Sequence, residues 1–143
     1  FPECVRYSPH TMNNTILIEL IHRVTAVREN AYAPYSRFFV GAAVLAKDGS
    51  VHVGCNVENA SYGLTQCAER AAVTAAVAHG VRELDVCLIV TDTPTPTMPC
   101  GACRQVLREF GVQRVISVTL GGAHHDVSMN DLLPDAFLGD NLP

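Results

Sequence analysis

Two short cysteine segments, far apart in the chain, constrain its fold more than any other feature. The first is Cys67-Ala68-Glu69, and the second is Pro99-Cys100-Gly101-Ala102-Cys103. A Cys-x-x-Cys pair with one distant cysteine is typical of a zinc site, because thiolates are preferred zinc ligands. The fold is therefore expected to bring Cys67 next to Cys100 and Cys103.

The two segments offer three soft ligands and one separate carboxylate. A structural zinc site normally has four protein ligands, whereas a catalytic site leaves one position for water or substrate. None of the six histidines lies within either segment, and His79 is about 18 Å along its predicted helix from Cys67 at 1.5 Å per residue. The pattern favours a catalytic zinc over two alternatives, a structural zinc with an unrecognised fourth ligand and a redox Cys-x-x-Cys.

Glu69 lies two residues after the first ligand, where a carboxylate can face a zinc-bound water. Bound zinc lowers the pKa of that water enough to give a hydroxide nucleophile near neutral pH. A carboxylate beside it can carry the proton. The alternative interpretation of Glu69 is an ordinary acidic residue at a helix N-terminus, which the helix dipole favours.

Composition limits the chain to one domain with few kinds of partner. Its 143 residues are 48% hydrophobic, which suits a single domain with a substantial core. The formal net charge of −4 argues against nucleic acid, since polyanion binding depends on clustered Lys and Arg. We find no apolar run long enough for a membrane span and no secretory signal pattern. We expect a cytoplasmic protein with a small-molecule partner and neither a nucleic-acid nor a membrane partner.

Three further cysteines, Cys4, Cys55 and Cys87, have no ligand-like grouping. The last two are predicted core residues, because buried free cysteine behaves as a small apolar side chain. Cys4 lies in residues 1–12, which show no hydrophobic periodicity. We expect residues 1–12 to form an N-terminal extension, either disordered or foreign to the native chain, and residues 13–143 to form one catalytic domain.

Hydrophobic spacing and turn residues predict the element order αββαβαβ(β)α. The expected elements are a helix over 14–30 with Asn13 or Asn14 as N-cap, strands over 38–46 and 51–57 joined by an Asp-Gly hairpin turn, a helix from a Thr65 cap to His79 with Gly80 at its C-terminus, a strand over 85–91, a helix that Cys100 and Cys103 open and that ends before Gly111, strands over 114–120 and 124–128, and a helical turn over 131–133. Helices between strands favour parallel pairing with right-handed crossovers. The predicted architecture is a three-layer α/β/α sandwich with a mixed five-stranded sheet.

Two further stretches extend the cysteine pattern. They are A-P-Y-S-R-F-F-V-G-A-A at 33–43 and N-V-E-N-A-S-Y-G at 56–63. Together with C-A-E-R at 67–70 and P-C-G-A-C-R-Q at 99–105, they resemble the small homotetrameric zinc-dependent cytidine deaminases of pyrimidine salvage. Zinc nucleobase deaminases have a His/Cys/Cys or three-Cys site, a non-ligating Glu and a P-C-x-x-C segment. In this chain Cys67 occupies the position where other branches have His. The resemblance covers about residues 31–137.

The resemblance implies a cytidine deaminase-like fold, one Zn²⁺ per subunit and a homotetramer with shared active sites. It implies hydrolysis of cytidine and 2′-deoxycytidine to uridine and 2′-deoxyuridine with release of ammonia. In the expected mechanism Glu69 takes the proton of the zinc-activated water, hydroxide attacks C4 of cytosine, and the carboxyl protonates N3 and the departing amine. The alternatives are a deaminase of another cytosine nucleoside such as blasticidin S, and a zinc-stabilised binding module without turnover.

The resemblance also assigns the nucleoside pocket. Asn56 and Glu58, two apart at a strand end, share one face, and the family's matching pair holds the ribose, particularly its 3′-hydroxyl. Phe38 packs against the base in the family, although an apolar strand residue is otherwise more often core. The remaining assigned positions are Ala60, Ala68, Tyr62 and Phe137, with Ala60, Tyr62 and Phe137 near the subunit boundary. Because the Glu58 carboxylate repels phosphate, nucleosides are expected to be better substrates than nucleotides.

Three thiolates around one Zn²⁺ leave a formal net negative charge that a neighbouring cation has to offset. Arg70, directly after Glu69, is the expected donor of hydrogen bonds to the ligand sulfurs, and Arg104 is the weaker candidate. The alternative interpretation of each arginine is a solvated surface charge.

Overall fold

A computed structural model describes residues 6–7 and 12–143 of the chain. Its elements are α1 (Asn14–Arg28), β1 (Val40–Ala46), β2 (Val51–Cys55), α2 (Ala68–Ala78), β3 (Leu84–Thr91), α3 (Gly101–Glu109), β4 (Arg114–Thr119), β5 (His124–Ser128) and α4 (Met129–Leu132), with short 3₁₀ turns at Tyr62–Leu64 and Gly139–Asn141. The predicted order of helices and strands is confirmed. None of the helices in the described part of the chain is long and apolar enough to cross a membrane.

The five strands form one mixed sheet in the order β2-β1-β3-β4-β5. β1 pairs antiparallel with both β2 and β3, β4 pairs parallel with β3, and β5 pairs antiparallel with β4. The predicted parallel pairing therefore holds for β3 and β4, which α3 connects. β2 and β3 also run in the same direction, but they do not pair with each other because β1 lies between them.

The sheet separates two apolar clusters, and successive residues of β1 contribute to them alternately. Ala42 and Val44 belong to the cluster that α2 and α3 cover. Ala43 and Leu45 belong to the cluster on the opposite face, with Leu20 and neighbouring residues of α1. This arrangement confirms the predicted three-layer sandwich.

The ends of the first two long helices show which capping predictions were right. Asn13 is the N-cap of α1, and its Oδ1 accepts a hydrogen bond from Ile16 N at 3.0 Å. Thr65 is not the N-cap of α2, because Gln66 still pairs with the extended chain as an isolated bridge and the helix starts only after Cys67. Gly80 follows the helix with φ +81°, the left-handed conformation expected after a C-terminus.

Of the three remaining cysteines and the N-terminal extension, the structure describes Cys55, Cys87 and a small part of the extension. Cys87 is buried, as predicted, but Cys55 is only partly buried because β2 is an edge strand. Cys4 and most of the extension lie outside the described residues. Within residues 6–7, Tyr7 packs on the α1 side of the sheet, and its backbone N–H donates to Gly49 O at 2.7 Å.

We expect Gly54→Ala to destabilise the protein, because α2 lies directly on β2 at this position. A Cβ atom at Gly54 would lie 2.4 Å from Ala72 N and 2.7 Å from Ala68 O. Both are backbone atoms, so relief requires α2 to shift, at a cost of about 1–3 kcal/mol in the free energy of unfolding. Urea denaturation measures this cost, and metal content reports the displacement of Cys67. The matched control is Gly121→Ala, where a Cβ atom would lie 3.7 Å from Thr119 Oγ1, an ordinary van der Waals distance. Equal unfolding midpoints for the two variants would contradict the prediction.

Candidate active site

Two helix N-termini bring three thiols together. Cys67 and Cys100 are the N-cap residues of α2 and α3, and Cys103 lies in the first turn of α3. All three Sγ atoms lie within 4.8 Å of one another, with 4.0 Å between those of Cys67 and Cys100. Among the described residues no other group of three His, Cys, Asp or Glu side chains is close enough to hold a metal.

The three thiols fit zinc. Sulfur ligands at about 2.3 Å in a tetrahedral arrangement lie about 3.8 Å apart, so only a small contraction of the observed cluster is needed. Neither N-cap thiol makes a capping hydrogen bond within the described structure, so Cys67 and Cys100 present their sulfurs to the cluster. The helix N-termini favour the thiolate forms that zinc requires.

Arg70 is the cation next to these thiols. Its Nη2 donates to Cys67 Sγ at 3.3 Å and to Thr65 O at 3.2 Å. Hydrogen bonding with the Cys103 thiol, followed by that from Arg70, holds the pKa of Cys67 well below its usual range. Arg70 thus makes the contact with a sulfur that the sequence predicted for it.

Arg104 has a different contact. Its Nε donates to Pro99 O at 2.8 Å and its Nη1 to Leu132 O at 2.9 Å. These bonds hold the segment before α3 against the end of α4, and they contact no sulfur. The candidate role of Arg104 at the sulfurs is therefore wrong, and so is its alternative of a purely solvated charge.

Glu69 lies in the first turn of α2 and is only 6% exposed. Burial is the largest influence on this carboxyl and raises the pKa of Glu69 above its usual value. A raised pKa makes the carboxylate a better proton acceptor, which suits a group that takes up and releases a proton. Its burial beside Cys67 suits proton transfer better than the solvated position of an ordinary helix N-terminal acid.

Cys67, Cys100 and Glu69 line a cleft of about 240 Å³, and the buried Cys103 lies behind it. Its lining comes from the segment before β1, the segment after β2, the start of α2, and the end of β3 with the loop that follows; the residues are Ser36, Phe38, Val40, Asn56, Glu58, Thr65, Cys67, Ala68, Glu69, Ile89, Thr91, Thr97, Met98 and Cys100. A wider groove of about 610 Å³ lies on the opposite face between α1 and β4. It contains none of the predicted site residues, so the smaller cleft is the candidate active site.

Three of the predicted pocket residues line this cleft with fixed backbone contacts. Asn56 Oδ1 accepts from Val40 N at 2.8 Å, and its Nδ2 donates to Phe38 O at 2.7 Å. The Glu58 carboxylate accepts from two backbone N–H groups, and hydrogen bonding with the Ser36 hydroxyl is the largest cause that lowers the pKa of Glu58. Phe38 is 39% exposed, so it is a wall of the cleft and not a core residue.

The other predicted pocket residues divide into two groups. Ala68 is buried and lines the cleft. Ala60, Tyr62 and Phe137 do not line it within the described subunit; they are exposed, Tyr62 by 75% and Phe137 by 59%.

Sequence reasoning missed half of the lining residues, which are Ser36, Val40, Thr65, Ile89, Thr91, Thr97 and Met98. The signal for Thr91 was available, because the carboxyl end of a strand in an open α/β sheet is a common place for ligands. Ser36 lies in the stretch 33–43, but nothing in the sequence shows its contact with Glu58, which is 22 residues further along the chain.

Comparison with known proteins gives one consistent result. The family model for the cytidine and deoxycytidylate deaminase zinc-binding region matches residues 15–119. A cytidine deaminase of Sporosarcina psychrophila is 47% identical over 126 residues, which are 87% of this chain and 93% of that protein. The cytidine deaminase of Halalkalibacterium halodurans is 48% identical over 125 residues, 86% of this chain and 95% of that protein. The crystal structure of the Burkholderia pseudomallei cytidine deaminase superimposes with a TM-score of 0.81 at 48% identity, covering 88% of this chain and all of that one.

We expect Arg70→Met to weaken zinc binding by about 10- to 100-fold, the usual effect of removing a hydrogen-bond partner of a metal ligand. The reason is that Cys67 Sγ loses its guanidinium donor while the three thiols remain. Competition with a chromophoric chelator measures the affinity. The control is Arg108→Met on α3, since Arg108 makes no side-chain hydrogen bond among the residues described; equal zinc affinities for both variants would show that Arg70 does not stabilise the site.

Proposed function

The chain belongs to the cytidine and deoxycytidylate deaminase family, and on that premise we propose that it deaminates cytidine and 2′-deoxycytidine hydrolytically. Water replaces the amino group, so the products are uridine or 2′-deoxyuridine and ammonia. The observation that carries this proposal is the buried Glu69 in one cleft with Cys67 and Cys100, two of the three converging thiols. The protein is a zinc-dependent hydrolase acting on a carbon–nitrogen bond.

Cys67, Cys100 and Cys103 are the residues that hold zinc, because they form the metal-sized cluster of thiols in the described chain. When bound, zinc supplies a Lewis acid that lowers the pKa of water and makes it a nucleophile. Arg70 offsets the negative charge of the thiolates through Cys67 Sγ. The dipoles of α2 and α3 also stabilise the negative charge of the thiolates at their N-termini.

Glu69 is the proton carrier. Its carboxylate accepts a proton from the attacking water as the new carbon–oxygen bond forms at C4. The carboxyl passes this proton to N3. It then accepts the remaining proton from the new C4 hydroxyl and donates it to the amine as the carbon–nitrogen bond breaks, which leaves the C4 carbonyl and ammonia. The burial that raises the pKa of Glu69 suits both steps, because the same group has to take up and release the proton.

The walls of the cleft bind the nucleoside. Phe38 contacts the base, Ala68 forms part of the floor, and Asn56 with Glu58 receives the sugar. Asn56 is held by two backbone bonds, which leave one of its N–H groups for a ligand. The ionised Glu58 suits a sugar hydroxyl and repels phosphate, which supports a nucleoside and not a nucleotide as substrate.

We further propose a homotetramer in which neighbouring subunits complete each cleft. Support comes from large apolar side chains that are exposed on the described subunit; they include Tyr32, Val57, Tyr62, Leu64 and Phe137. Ala60 is exposed in the same segment as Val57 and Tyr62. Reduced thiols are best kept in a reducing compartment, so we place the reaction in the cytoplasm, with no nucleic-acid or membrane partner.

We expect Glu69→Gln to lower the rate of ammonia release from cytidine by at least about 100-fold, because the proton carrier is lost while the thiols remain. The assay follows the ultraviolet change of cytidine and the ammonia formed, with zinc content verified in each sample. The control is Glu109→Gln at the end of α3, an exposed carboxyl outside the cleft.

Two results would contradict these assignments in different ways. A zinc-loaded Glu69→Gln variant that keeps most of the activity would remove Glu69 from the mechanism. A zinc-loaded parent that releases no ammonia from either nucleoside would point to another cytosine nucleoside, such as blasticidin S, or to a binding module.

We expect light scattering to give a particle of four times the 15.4 kDa subunit mass. Phe137→Ser is expected to lower both the particle mass and the activity, since it removes an exposed apolar side chain at the proposed contact. A fully active protein with the mass of one subunit would contradict the shared active site.

A further inference from the structure

Ser36 lies between two walls of the cleft. Its Oγ donates a hydrogen bond to Glu58 Oε1 and accepts one from Phe38 N at 3.0 Å. A serine hydroxyl has a single proton to donate, and here that proton goes to Glu58. One side chain therefore connects the carboxylate on the β2 side of the cleft with the backbone of the aromatic residue on the β1 side.

The contacts of Glu58 leave little freedom in how it meets a ligand. Its Oε2 accepts from Tyr35 N at 2.8 Å and from Ser36 N at 3.2 Å, and its Oε1 accepts from Ser36 Oγ. A carboxylate offers about four acceptor positions, and these bonds occupy three of them. The remaining position is on Oε1, so the Ser36 hydroxyl selects the direction from which a donor can approach.

The backbone between these contacts is strained and needs to be held. Arg37, between Ser36 and Phe38, has φ +55°, a left-handed conformation that is unfavourable for a residue with a side chain. Arg37 N donates to Ala33 O at 3.0 Å, and Asn56 fixes Phe38 O from the other side. Ser36 Oγ supplies the bond to Phe38 N that completes this turn.

We propose that Ser36 is a specificity-determining positioning residue: it sets the distance and direction between the free acceptor position of Glu58 and the Phe38 ring, so that a sugar hydroxyl and a base are recognised as one unit. This inference rests on the proposed function, since it takes the ligand to be a nucleoside. Ser36 acts through Glu58 and Phe38 and takes no part in proton transfer.

A carboxyl titration tests the connection without any turnover. We expect Ser36→Ala to raise the pKa of the Glu58 carboxyl, since a hydrogen bond donated to the charged form is removed. Carbon-13 NMR of the zinc-loaded protein measures this pKa, and Glu58→Gln assigns the signal. Ser36→Thr, which keeps the hydroxyl, should titrate like the parent. A Ser36→Ala variant that titrates like the parent would overturn the inference.

Kinetics with two substrates test the consequence for specificity. We expect Ser36→Ala to lower kcat/KM for 2′-deoxycytidine by about 10-fold, mainly through KM, as for the loss of a hydrogen bond to a charged group. The value for 2′,3′-dideoxycytidine, which lacks the 3′-hydroxyl, should change by no more than about 2-fold, because its contact with Glu58 is already absent. Ser36→Thr should restore the discrimination. Equal losses for both substrates, or no loss for either, would overturn the inference.

The two measurements separate this inference from the proposed function. A parent that releases no ammonia from either nucleoside would refute the function, and the carboxyl titration would still decide whether Ser36 controls Glu58. An active parent whose Ser36→Ala variant discriminates as before would refute only the inference. Matching zinc content and unfolding midpoints would show that the exposed position 36 tolerates each substitution.

Discussion

The convergence of three thiols at two helix N-termini depends on the direction of two strands. β2 and β3 run the same way because each pairs antiparallel with β1 between them. The helices that follow them, α2 and α3, therefore start at the same edge of the sheet. Cys67 and the Cys100–Cys103 pair meet at this edge, and helix dipoles and Arg70 reduce the repulsion that three thiolates would otherwise exert on one another.

The remaining walls of the cleft lie at the same edge of the sheet. β1 begins where its two neighbours end, since Val40 lies opposite Thr91 and Gly41 lies opposite Cys55. Phe38 before β1 and the polar pair after β2 are therefore adjacent, although the hairpin separates them in sequence. Close approach of the layers, which Gly54 permits on the α2 side, holds the three thiols and the Asn56–Glu58 pair in a fixed arrangement.

Sequence alone predicted the elements, the three layers and the cysteine cluster, because these depend on hydrophobic period, turn residues and zinc chemistry. It failed where a distant partner overrides a local preference. Thr65 has the chemistry of a helix cap, yet the bridge between Gln66 and Val57 keeps that segment extended. Arg104 follows a ligand in sequence, but the end of α4 supplies its acceptor. The bond from Ser36 to Glu58 crosses 22 residues, and no pattern in the chain indicates it.

Two glutamates line one cleft, and their surroundings shift their pKa values in opposite directions. Glu69 is buried, and desolvation raises its pKa. Glu58 is more exposed, and the hydrogen bond from Ser36 is the main cause that lowers its pKa. A carboxyl with a raised pKa can exchange a proton, whereas one with a lowered pKa remains an ionised acceptor. These environments support the roles that we propose, with Glu69 as the proton carrier and Glu58 as the acceptor for a sugar hydroxyl.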